Sequence, residues 1–235
     1  MATIGGPVIP GVTDGLILYL DAANEDSYPG TGTVWRDLSK SNYSGSLVNG
    51  PVYSGKSKGA NFSFDGVNDE VNLGNIGFPN GTNNATIDIW VSFPSMSVGK
   101  YFMSKGSAGD GIHTFIGFTG LGPSGGGSAY IRFQASNSST TISSIEYGNL
   151  IFNRFYNFTF TFDGTQIIGY QNGSSPITRL LTGPLYYSTT PLYLGRDRYG
   201  NNAACNIQTF KIYNRALTAS EVLQNYNATK SRFNL

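Results

Sequence analysis

Short runs of alternating apolar and polar residues, broken by Gly, Asn, Asp and Pro, recur along most of this chain. A period of two is the signature of half-buried β-strands. Phe62 and Phe64 share one face ahead of an Asp65-Gly66 corner. Beyond it Val71 and Leu73 take one face and Glu70 and Asn72 the other, a pattern that predicts a hairpin. Ile87, Ile89, Val91 and Phe93 alternate with Asp88, Trp90 and Ser92, giving a strand with one strongly apolar face. The clearest tertiary signal spans residues 155–181. Phe158, Phe160 and Phe162 oppose Thr159 and Thr161, Asp163-Gly164 turns the chain, residues 166–171 run back, and Asn172-Gly173 turns it again. Both dipeptides favour type I′ turns, because Gly tolerates a positive φ and Asn or Asp nearly does. A three-stranded meander is expected there. Other strands are expected at residues 15–20, twice within 101–118 around a polar loop at 105–111, and at 129–135, 191–195 and 207–213. Residues 35–51 read as loop with a short strand.

One helix is predicted, near the C-terminus. Thr218-Ala-Ser-Glu221 has the form of a capping box, and Val222, Leu223 and Tyr226 give an apolar stripe to lay on the sheets. Residues 1–14 stand apart: Gly5-Gly6-Pro7 and Pro10-Gly11 interrupt helix and strand, while Ile4, Val8, Ile9 and Val12 are apolar. They read as an extended arm that docks on a partner or wraps its own domain, with residues 15–235 forming one β-sandwich domain. Charged residues make up 12% and aromatic ones 14%, and there are 31 Gly. That balance opposes disorder and suits two sheets filled by Phe and Tyr between Gly- and Asn-rich turns. The net charge of +1 supplies no field to draw in nucleic acid or an anionic membrane. No apolar run approaches the ~20 residues of a membrane-spanning helix. The Met-Ala-Thr start has neither a basic nor an apolar leader region, so no secretory signal is expected.

Residues that carry chemistry are sparse. Cys205 is the only cysteine and His113 the only histidine, so no intrachain disulfide forms and any thiol or serine nucleophile would have to use His113 as its base. No Gly-x-Ser-x-Gly elbow occurs. Gly122 to Gly127 has no Lys-Ser/Thr ending and is a loop rather than a phosphate cradle. Cys205 is expected to be a small buried residue and His113 a polar residue on a sheet face.

The stretch Phe62-Ser-Phe-Asp-Gly-Val-Asn-Asp-Glu-Val resembles the "F-D-G-x-x-D-x-V" signature of laminin G-like domains, in the concanavalin A-like lectin and glucanase superfamily. Ile87-Asp-Ile-Trp-Val91, Ser104-Lys-Gly106, Phe160-Thr-Phe-Asp-Gly164, Leu192-Tyr-Leu-Gly-Arg196 and Phe210-Lys-Ile-Tyr-Asn-Arg-Ala-Leu-Thr218 follow in the family's order. Trp35, Asp37 and Ser39 retain most of its "W-x-D-x-S-G-N" loop. The resemblance implies an all-β, two-sheet antiparallel jelly-roll sandwich with a short C-terminal helix. Function does not follow from fold, since the superfamily holds lectins, adhesion modules, virion proteins and hydrolases.

Hydrolases of the superfamily place acids on one strand as "E-x-D-x-x-E" or "E-x-D-x-E". Here Asp88 stands at the middle position, with Thr86 and Trp90 in the flanking ones, and one carboxylate cannot be both acid and nucleophile. The resemblance also implies a Ca²⁺ site at the sandwich rim, with Asp110, Asp197, Asn201 and Asn202 as oxygen donors. Ca²⁺ needs 6–8 oxygens, and Arg196 and Arg198 flank Asp197, so an Arg–Asp loop network is the other reading. Trp35, Tyr186, Tyr187 and Tyr199 are candidate stacking platforms for sugar rings or for protein contacts. The expected function is a non-catalytic structural or binding module, set on a bacteriophage virion surface as a capsid decoration or fibre-associated protein. Its expected partners are other virion proteins, through residues 1–14, and cell-surface glycans, as a homo-oligomer or lattice-bound copies. The alternatives are a lectin or adhesin working outside the cell, and a glycan hydrolase that depends on Asp88.

Overall fold

The computed structural model describes residues 11–76, 83–95, 99–107, 114–121, 130–137, 141–185, 189–197, 199–233 and 235. In chain order the strands are β1 (Leu16–Asp21), β2 (Val34–Trp35), β3 (Gly45–Val48), β4 (Val52–Tyr53), β5 (Phe62–Asp65), β6 (Glu70–Asn72), β7 (Ala85–Ser92) and β8 (Lys100–Ser107). They continue as β9 (Thr114–Leu121), β10 (Tyr130–Ser136), β11 (Ile142–Tyr147), β12 (Tyr156–Phe162), β13 (Gln166–Gln171), β14 (Ser174–Leu180), β15 (Leu192–Leu194) and β16 (Ala204–Tyr213). Helix α1 (Ala219–Thr229) and a 3₁₀ turn at Lys230–Phe233 close the chain.

Two eight-stranded antiparallel sheets result. The first runs β14-β13-β12-β7-β16-β5-β4, with β1 also paired to β16; the second runs β11-β10-β9-β8-β15-β6-β3-β2. Inward-pointing apolar side chains of both sheets form one core that includes Leu18, Phe62, Ile89, Phe102, Phe158, Leu194 and Phe210, each 0% exposed. This is the sandwich the alternation predicts, since every second residue of each strand faces the opposite layer.

The meander at β12–β13–β14 is as expected, with one difference in its turns. Asn172 and Gly173 both have positive φ, 53° and 70°, as a type I′ turn requires. At the other end only Gly164 is left-handed. Asp163 Oδ1 instead accepts from the backbone N–H groups of Thr165 and Gln166, so a turn capped by a side chain replaces the type I′ turn.

The hairpin expected at Phe62–Leu73 is not one. β5 pairs with β16 and β4 in the first sheet, whereas β6 pairs with β15 and β3 in the second. The Asp65–Asp69 corner carries the chain across the sandwich. Asp65 Oδ1 accepts from Val67 N at 2.7 Å and Asn68 N at 3.3 Å, and Asp69 Oδ2 accepts from Asp65 N at 3.0 Å. Both acids of the "F-D-G-x-x-D" signature therefore hold the crossing, and those N–H bonds keep the Asp65 carboxyl below its ordinary pKa.

The two outer faces differ. On the first sheet, Trp90 stacks on Tyr226 and Phe233, with ring centroids 5.6 and 4.3 Å apart, and its indole N–H donates to Thr229 Oγ1 at 2.8 Å. The capping box forms as predicted: Thr218 Oγ1 accepts from Glu221 N, and the Glu221 carboxylate accepts from Thr218 N. Helix α1 thus roofs this face, and Val12 joins it in a second apolar cluster with Tyr170, Tyr213, Leu217 and Val222. Of the expected arm, residues 11–14 are described, and they lie along their own domain; residues 1–10 lie outside the described residues. Cys205 is buried in the main core, and that burial pushes its thiol pKa up. Among the described residues no helix is long and apolar enough to cross a membrane.

Candidate functional site

Period-two alternation leaves the second sheet with a polar outer face. Cross-strand register lines up Ser144, Gln134, Gly117, Ser104, Tyr193, Asn72 and Ser46 as one row across seven strands. The next row pairs Glu146 with Arg132, Thr119 and Tyr101. Small side chains at Ser104 and Ser46, and the absence of one at Gly117, leave Tyr193 as the large group of its row. Arg132 meets Glu146 Oε1 at 2.6 Å and Gln134 Nε2 donates to Ser144 Oγ at 3.2 Å.

Over this face stands the excursion between β15 and β16. Gly195 starts it with φ +90°, and a Cβ there would meet Phe64 Cδ1 at 2.7 Å and Asp69 O at 2.8 Å, so only glycine fits. The Arg196 guanidinium lies 5.1 Å from the Tyr193 ring centroid and pairs with the buried Glu70 carboxylate. Asp197, 6% exposed, organises the loop: Oδ1 accepts from Tyr199 N and Asn201 N, both at 2.9 Å, and Oδ2 from Asn201 Nδ2 at 2.8 Å. Tyr101 N donates to Asn201 O at 3.0 Å. Burial and the nearby Asp197 charge push the Tyr101 phenol pKa up, against the opposing pull of Arg132.

The expected site residues fall in different places. Asp197, Asn201 and Asn202 come together in the loop, and Tyr199 stands at its tip, 54% exposed. Trp35 is 0% exposed, its ring 4.7 Å from that of Phe62. It belongs to the core, because β2 turns it inward, and it presents no stacking face to solvent. Asp110, Tyr186, Tyr187, His113 and Arg198 lie outside the described residues. Of the expected Arg–Asp network only the Arg196 part lies among the described residues: Arg196 pairs with Glu70, and its Nε donates to the Asp197 backbone oxygen at 2.6 Å.

The described part of the rim does not fit a Ca²⁺ ion. The Asp197 carboxylate is met by three N–H groups, which point hydrogens where a cation would need oxygens. Asn202 donates its amide to Asp69 O at 3.1 Å. Among the described residues no cluster of three or more His, Cys, Asp or Glu is placed to hold a metal.

Nor does the described surface offer a hydrolytic pair. Asp88 is 1% exposed beneath the roof of the first sheet, where Oδ2 accepts from Thr159 Oγ1 at 2.7 Å and Asn157 Nδ2 at 3.2 Å. Glu70 is held by Arg196 and Glu146 by Arg132. Tyr193, Arg196, Glu70 and Tyr101 were not legible as a group, because their meeting depends on β8, β15 and β6 being neighbours.

No curated protein sequence matches the chain. Among solved structures, the binding domain of Paraclostridial Mosquitocidal Protein 1 is similar over 91% of this chain and 52% of its own length, at 16% identity and TM-score 0.65. The binding domain of botulinum neurotoxin serotype D is similar over 92% of this chain and 51% of its own, at 15% identity and TM-score 0.63. The chain spans about half the length of these toxin domains. Domain 4 of AbnA, an extracellular GH43 arabinanase from Geobacillus stearothermophilus solved with arabinotriose, is covered over 100% of its length and 93% of this chain, at 14% identity and TM-score 0.65. At such identities the likeness is one of fold. A family model for Laminin_G_3 matches residues 64–223, and the chain belongs to that family of the concanavalin A-like lectin/glucanases superfamily.

Proposed function

We propose that this protein is a non-catalytic binding module that contacts glycans or a polar protein surface through the outer face of its second sheet and the β15–β16 loop. The observation that carries this reading is the asymmetry of the sandwich. Helix α1 roofs one face, while the other keeps a row of hydrogen-bonding side chains with an exposed Tyr199 at its edge. Amides and hydroxyls match sugar hydroxyls or peptide groups, and an exposed aromatic ring supplies a stacking surface. The fold likeness to toxin binding domains and to an arabinanase domain solved with arabinotriose supports binding rather than catalysis. So does the burial of Asp88.

A glycan array probed with the intact chain tests it. Binding should appear and fall at least about tenfold in Tyr199→Ala and Gln134→Ala, each position contributing on the order of 1 kcal/mol or more. Equal binding by both variants would remove the sheet face from the reading. The proposed setting is the surface of a bacteriophage particle, supported by the apolar Gly/Pro sequence ahead of Gly11, with Ile4, Val8 and Ile9. Particles lacking the protein should then lose a surface feature in electron microscopy, and unchanged density would refute that setting.

A further inference from the structure

The roofed face of the first sheet holds a feature that the sheet-face reading does not use. Between residues 11–13, the outer side of β1, the C-terminal end of β16 and the end of α1 lies a cavity of about 130 Å³. Val12, Leu16 and Ala228 give it apolar walls, and Thr13, Tyr19, Lys211, Thr229 and Arg232 are its polar ones.

The polar groups of this cavity are not equivalent. Arg232 is satisfied, with Nη1 2.8 and 2.9 Å from the two oxygens of Asp21, and Tyr19 donates its hydroxyl to Asp21 Oδ2 at 2.7 Å. Asp88, cross-strand from Lys211, is held from behind by Thr159 and Asn157. Lys211 is the exception. It is 4% exposed, and among the described residues its ammonium has neither a hydrogen-bond acceptor nor an ion-pair partner, only the Tyr19 ring face 4.8 Å away.

The Lys211 ammonium opens onto the cavity with three donors that no described protein group accepts, and a side chain this largely buried gains from an acceptor placed there. That burial shows in the lysine pKa, which it pulls down against the attraction of Asp88 and Asp21. The volume is too small for a saccharide or a drug-sized ligand, whose pockets run from about 300 Å³ upward. It exceeds the ~30 Å³ share of a single water. An oxygen-bearing anionic head for Lys211 with a short apolar tail for Val12, Leu16 and Ala228 matches what the walls offer. We propose that this cavity is a binding site for a short-chain monocarboxylate, with Lys211 as its counter-ion.

The probe is sodium butyrate, titrated into the intact protein against sodium chloride at equal ionic strength and followed by amide chemical shifts. Saturable shifts should appear at residues 11–19, 211 and 228–232, with millimolar affinity. Lys211→Met should weaken the affinity at least tenfold. Ala228→Leu, which fills the cavity from the helix side and leaves the lysine in place, should abolish saturation. If Lys211→Met does not fold, Ala228→Leu decides alone. Shifts that never saturate, that map to the second sheet, or that persist unchanged in Ala228→Leu would overturn the proposal. The glycan array reads the opposite face, so either result can fail without the other.

Discussion

Glu221 shows how much one side chain can hold at the start of a helix. Its carboxylate accepts from Thr218 N at 2.8 Å and from Arg215 at 2.6 and 2.9 Å. These contacts, the Arg215 bonds foremost, lower its pKa from the ordinary 4.5 to about 2. A carboxyl whose folded pKa lies below its unfolded one stabilises the fold above the unfolded value and loses that contribution as pH falls toward the folded value. Urea unfolding should therefore show Glu221→Gln less stable by about 1–2 kcal/mol at neutral pH. The gap should close between pH 4.5 and about 2. A gap that is the same at neutral pH and near pH 2 would mean that the Arg215 pair contributes nothing. The capping box was readable from four consecutive residues because its physics is local. Trp35 was not: an aromatic ring in a loop motif reads as an exposed platform, and only the position of Phe62 beside it reveals the core.

At the scale of elements, alternation predicted which residues share a face and left open which strands share a sheet. β12 to β14 were legible because their turns are short enough to force pairing between sequence neighbours. The Asp65–Asp69 corner resembles a hairpin turn, yet β5 and β6 each find better partners from the far end of the chain. β11 went unpredicted because Ser143, buried at 7%, fills an inward position where the pattern calls for an apolar residue. The candidate site suffers from the same blindness. Tyr199 and Asp197 lie close in sequence, but Tyr193 meets Asn72 and Ser104 only through non-local register. Helix α1 is the element whose loss should matter most to the first sheet. Removing residues 218–235 would uncover Trp90 and strip Val222 from Tyr213 and Leu217. Both tryptophans of the chain are buried, so the intact protein should show blue-shifted, poorly quenched emission. The truncated form should gain a red-shifted component from Trp90, and unchanged emission would show that the helix is not the roof.

For the whole molecule, the decisive strand is β16, where the two ends of the described chain meet. β1 pairs along it, Val12 N donates to Asn225 Oδ1 at 2.8 Å, and Tyr213 OH donates to Val12 O at 3.0 Å. Asp21, 1% exposed, receives Arg232 on both oxygens across 211 positions of sequence. Such a pair must overcome the desolvation of two charges, and breaking it by removing one partner typically costs about 3–5 kcal/mol. Arg232 keeps a quarter of its side chain in solvent, which places this case near the lower end. Asp21→Asn should therefore lower the denaturation midpoint by about 3 kcal/mol in stability, because it leaves the guanidinium buried without a counter-charge. Arg232→Met should cost at least as much, because it strands the Asp21 carboxylate, the more buried of the two charges. The double variant should be more stable than Asp21→Asn alone, because the stranded cation is gone. If the two changes simply add, the ends of the chain are not coupled through this pair, and the closure of the sandwich would rest on β1–β16 pairing by itself.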